Sequence, residues 1–128
     1  MALKRLVFHR DGGACVKCGE AAFLAHIHHR RPRMMGGGNA REAWINSLPN
    51  LLLLHPQCHH WIEHHREESL AAGWLVPINT DPADVLVRYW DGMMYELRGD
   101  FRTPAGVAPQ TTLDWRALMN ATLAARGV

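Results

Sequence analysis

All three cysteines of this chain and all but one of its nine histidines lie between Cys15 and His65. They run in order as Cys15-Val-Lys-Cys18, then His28-His29-Arg30-Arg31-Pro32-Arg33, then Asn50, then His55-Pro56-Gln57-Cys58-His59-His60. Thiolates and imidazoles at such spacings suit zinc or a similar transition metal. A histidine pair flanked by arginines suits hydrolysis of a phosphodiester, where a base takes a proton from water and a cation offsets charge on the breaking bond. The pattern reads as two interleaved metal sites, one for folding and one for chemistry, in a small metal-dependent nuclease.

Such a site needs elements to position it. Leu3, Leu6 and Val7 recur at helical spacing and stop at Asp11-Gly12-Gly13, which predicts a short helix before the first cysteines. Residues 22–27 are expected to form a strand that carries His28 and His29 at its end. Pro32 and the glycines at 36–38 make residues 30–49 a long surface loop. Residues 50–54, an Asn followed by four leucines between two prolines, read as a second, buried strand. From Gln57 to Gly73, Trp61, Ile62 and His65 alternate with acids and arginine as on one amphipathic helix. Two strands and a helix with ligands at their junctions make a ββα unit. Beyond it, residues 85–98 predict a hairpin turning at Asp91-Gly92, residues 102–110 a loop, and residues 113–125 a last helix capped by Thr112.

A length of 128 residues with 48% hydrophobic and 20% charged residues describes one ordinary globular domain. Its modest core leaves room for a metal to supply part of the folding free energy. The net charge of +2 is too small to name a partner by itself. Its distribution says more, because Arg30, Arg31 and Arg33 sit beside the paired histidines. Three cysteines cannot close a disulfide set, and the N-terminus lacks the apolar stretch of a secretory signal. No run is long enough to span a membrane, and a reducing cytoplasm is the expected compartment.

These pieces, in this order over roughly residues 5–76, resemble the HNH endonuclease family (ββα-metal nucleases), in particular small HNH proteins of actinobacterial phages. The likeness is carried by residues 10–19 around the Cys-Val-Lys-Cys knuckle, by 28–37, by Pro49-Asn50 with the leucines, and by Cys58-His59. It implies an α+β fold: an HNH core stapled by a zinc knuckle over residues 1–76, with a hairpin and helix over 77–128 packed on the same domain. Cys15, Cys18 and Cys58 supply three ligands of a structural zinc. The fourth falls to His55, which stands where the family commonly has another cysteine.

The resemblance further implies that His29 is the general base and that His28 and His59 hold the catalytic divalent ion: magnesium, manganese, nickel or zinc. Asn50 would hold the loop backbone or the imidazole of His29, although as the residue after Pro49 it also fits a plain turn. Glu63, His60 or His64 stand at positions that could complete the metal site. Arg30, Arg31 and Arg33 would grip DNA phosphates rather than form a merely solvated loop. The implied activity is nicking or cleavage of duplex DNA inside a bacterial host, linked to DNA processing or to terminase in phage packaging. Two other readings stay open: a zinc-stabilised accessory module that binds DNA or protein without catalysis, and a zinc hydrolase of small substrates. The second of these would need an enclosed pocket.

Overall fold

The computed structural model describes residues 2–22, 24–32 and 46–107. Helix α1 (Ala2–Arg10) leads into the cysteine knuckle, where Ala14 and Ala21 form an antiparallel bridge. Strand β1 (His26–His29) pairs antiparallel with β2 (Leu51–Leu54), and α2 (Pro56–His64) and α3 (Arg66–Ala71) follow. A second sheet holds β3 (Val87–Arg88), β4 (Met93–Arg98) and β5 (Phe101–Val107) in that order. The protein is thus a small mixed helix and sheet fold with two small sheets. Among the described residues no helix is long and apolar enough to cross a membrane.

The four leucines of β2 are all buried because both faces of its sheet are covered. Leu52 and Leu54 pack with Val16, Ile62 and Trp74, with Val87, Tyr95 and Leu97 of the C-terminal sheet, and with Tyr89 just after β3. Leu51 and Leu53 pack with Val7 of α1 and with Ala22. Residues after 77 therefore share a core with the cysteine-bearing part. On α1 Val7 and Arg10 are buried, while Leu3 and Leu6 stay exposed. Asp11 ties these layers together. Its carboxylate accepts from Arg10 Nε at 2.9 Å, from the Leu53 amide at 3.1 Å and from the Tyr89 hydroxyl at 2.6 Å.

Three elements differ from the sequence expectation. β1 begins at His26 rather than Ala22, so both paired histidines lie within the strand. The helix expected over 57–73 is two helices broken at His65, whose backbone leaves helical space at φ −132 and ψ 64. Side chains there take over the carbonyls that a continuous helix would use: His65 Nδ1 bonds to Trp61 O at 2.8 Å and Ser69 Oγ donates to Ile62 O at 3.0 Å. The loop expected over 102–110 is, as far as residue 107, part of an edge strand against β4 that begins at Phe101. Pro104 is tolerated there because it lies on the outer strand, where the register shifts between Met94 and Tyr95. The last helix, expected over 113–125, lies outside the described residues.

α3 closes on Gly73, which adopts φ +77, and a Cβ there would stand 1.9 Å from the Leu86 carbonyl oxygen. The turn can be this tight only without a side chain. Gly73→Ala should cost on the order of 1–2 kcal/mol for the left-handed backbone alone, with the clash added to it. Urea unfolding tests this, and a variant as stable as the parent would contradict the close approach.

Candidate metal centre and histidine cleft

The first cluster forms where the knuckle after α1 meets the segment that follows β2. Cys15 and Cys18 come from the knuckle after α1, and His55 and Cys58 flank the start of α2, where Pro56 opens the helix. The sulfurs of Cys15, Cys18 and Cys58 lie within 4.8 Å of one another. His55 Nδ1 is 3.6 Å from Cys18 Sγ. That separation matches the edge of a tetrahedron with metal–sulfur and metal–nitrogen bonds of about 2.3 and 2.0–2.1 Å.

Hydrogen bonds around the cluster favour the ligating forms. His55 Nε2 donates to the Ala21 carbonyl at 2.8 Å, which leaves the Nδ1 lone pair facing the sulfurs. Burial pushes the Cys15 thiol up, but the backbone amides of His55, Cys18 and Lys17 outweigh it and hold the thiol below its ordinary value. Burial and the neighbouring Cys15 push Cys58 up to about 12, the cost of crowding thiols without a cation. A bound dication removes that cost, because a coordinating thiol is deprotonated outright. The donor set Cys15, Cys18, Cys58 and His55 therefore fits a structural metal ion. Glu20, which the sequence reading passed over, lies 3.9 Å from His55 Nδ1 and forms a second possible donor group with Cys18 and His55. The three thiolates make the softer set and suit zinc better.

The second cluster lines an open cleft of about 240 Å³, where His28, His29, His59 and Glu63 meet over Ile27 and Leu75. His28 is buried and its Nε2 donates to the Trp74 carbonyl at 2.7 Å. Burial, joined by the charges of His59, Arg30 and His29, pulls it down to about 4 against the pull of that carbonyl. It is neutral near pH 7, with the Nδ1 lone pair free of that bond. The His28 and His59 rings are centred 5.0 Å apart. His59 Nε2 is 3.1 Å from Glu63 Oε1, one helical turn on.

Asn50 holds the loop rather than the imidazole. Its Oδ1 accepts from the Arg31 amide at 2.8 Å and its Nδ2 donates to the Arg31 carbonyl at 3.3 Å. His29 Nε2 instead donates to Asn46 Oδ1 at 3.1 Å, which leaves Nδ1 as a lone pair. Asn46 had no signal in the sequence, since only the fold brings it to His29. His60 and His64 lie with tilted rings, centroids 4.1 Å apart, on the exposed part of α2 and do not line the cleft.

The arginines require a correction. Arg30, expected on a phosphate, is fully buried, and its guanidinium donates to the carbonyls of Gly73, Pro49, Pro82 and Val85 at 2.7–2.9 Å. Such a group cannot reach a DNA backbone. Burial pulls it to about 9, still above neutrality, so the charge persists. Arg31 is half-buried beside a shallow pocket with Asn79 and Asp81, and Arg33 lies outside the described residues.

Two outcomes follow for variants. Cys58→Ser should release one metal ion per chain by elemental analysis and lower the thermal midpoint, whereas retained metal would rule out this ligand set. Arg30→Met should cost on the order of 3–5 kcal/mol in denaturant unfolding, because four carbonyls lose their donor. A stable Arg30→Met protein with weakened DNA binding would restore the phosphate role. In comparisons with known proteins, no family model, no curated protein and no solved structure matches this chain.

Proposed function

We propose that this chain is an HNH-type endonuclease that hydrolyses DNA phosphodiesters with one divalent cation, nicking duplex DNA. The observation that carries this reading is that β1, through His28 and His29, and α2, through His59 and Glu63, line one open cleft. An open cleft suits a polymer better than an enclosed small molecule.

His29 acts as general base: the Asn46 bond holds its proton on Nε2, so Nδ1 is the atom that takes a proton from water. Asn50 keeps the strand end and loop in place by clamping both backbone groups of Arg31. His28 stays neutral and oriented by the Trp74 carbonyl, in the form a metal ligand requires. When bound at His28 and His59, magnesium, manganese, nickel or zinc would supply Lewis-acid stabilisation of the phosphate and its 3′ oxygen. Arg31 and Arg33 remain the candidates for gripping the backbone. A role in phage DNA processing or packaging beside terminase fits the same chemistry.

Nicking of supercoiled plasmid by metal-stripped protein, with each cation restored singly, tests the reading. His29→Ala should lose about 10²–10⁴-fold in rate while keeping its fold and structural metal. Absence of nicking with every cation, from folded protein that retains that metal, would instead favour a non-catalytic binding module.

A further inference from the structure

We propose that His26 is a third ligand of the divalent cation held by His28 and His59, and that Glu63 serves His59 rather than the cation. The inference rests on the reading of the cleft as a divalent-metal site and names the residue that would complete it.

Strand alternation places His26 and His28 on the same face of the sheet. Their register partners there, Leu54 and Leu52, pack with Ile62 of α2, so this face is the one that the helix bearing His59 covers. His26 Nδ1 lies 3.3 Å from His59 Nδ1. Two nitrogens bound at about 2.0–2.1 Å to one tetrahedral ion stand about 3.3 Å apart. The other nitrogen of His59 is 3.1 Å from Glu63 Oε1, so Nε2 is its donor and Nδ1 its lone pair, directed at His26. A carboxylate that accepts the second ring N–H of a ligating histidine is the usual support of such a ligand. His28 has its Nε2 proton on the Trp74 carbonyl, which leaves Nδ1 as its lone pair, and its ring is centred 5.0 Å from that of His59. His26 is exposed on the strand, so an ion can reach it without opening the core.

A site of three imidazoles is nitrogen-rich. It favours zinc, cobalt, nickel or copper over magnesium, which prefers oxygen ligands and keeps its water.

Cobalt(II) titration of full-length protein carrying its structural zinc, followed by calorimetry and by visible absorption, tests the assignment on wild type, His26→Ala and Glu63→Gln. His26→Ala should weaken cobalt binding at least about tenfold and narrow its preference over magnesium. Glu63→Gln should lose less, because the glutamine carbonyl still accepts from His59. Structural zinc content and circular dichroism verify that each variant is folded. Wild-type affinity in His26→Ala, a larger loss in Glu63→Gln, or no cobalt binding by the wild type would each overturn the proposal. His26-dependent binding without plasmid nicking would leave the ligand assignment standing and remove the nuclease reading. Nicking with unaltered cobalt binding in His26→Ala would do the reverse.

Discussion

The buried guanidinium of Arg30 is the constraint on which the rest of the structure depends. It follows the paired histidines directly and donates to carbonyls from the turn before β2, the end of α3, and the 82–85 segment. Its main chain is equally committed, with its amide on Asn50 O at 2.8 Å and its carbonyl accepting from Val76 at 2.9 Å. A buried charge is tolerated only when its donors are met, and here backbone dipoles rather than a carboxylate meet them. One side chain therefore fixes where β1 ends relative to three distant segments. The cleft inherits its shape from that arrangement, since His28 and His29 sit immediately before Arg30 and Trp74 immediately after Gly73.

Strand geometry explains how adjacent histidines come to sit in different surroundings. Along β1, His28 faces the side with Leu52 and α2, where burial keeps it neutral and a carbonyl holds its proton. His29 alternates to the other side and is only half-buried, so its ring meets Asn46 and stays open to water. A one-residue slip in register would exchange these environments. Asn50 guards against such a slip, because it pairs with the backbone just past the strand's end.

The cluster of Cys15, Cys18, Cys58 and His55 was legible in the sequence because thiol and imidazole spacing is a local property. The four-leucine strand was legible for the same reason, being apolar on both faces. What could not be read depended on contacts between distant segments. Arg30 looked like its neighbour Arg31, and only the packing of residues 73–85 distinguishes them. The break at His65 has no proline or glycine to announce it, since ring bonds to Trp61 O replace the helical ones. Pro104 and Gly106 made β5 look like a loop, because nothing local says that the segment lies at a sheet edge. Asn46 and His26 gained partners only when β1, α2 and the turn before β2 came together.

The two clusters are mechanically linked through the first turn of α2. His55 and Cys58 serve the cysteine cluster, and His59, the next residue, enters the cleft, with its amide bonded to the His55 carbonyl at 2.9 Å. The helix begins where it does because Pro56 opens it, and the preceding His55 uses its ring on the cluster rather than as a cap. A metal ion that pinned His55 and Cys58 would thereby set the rotation of α2 about its axis, and with it whether the His59 ring meets His26 and His28. A helix of nine residues with only Ile62 fully buried has little else to fix its orientation. A metal ion at the cysteine cluster would thus position His59 as well as staple the fold.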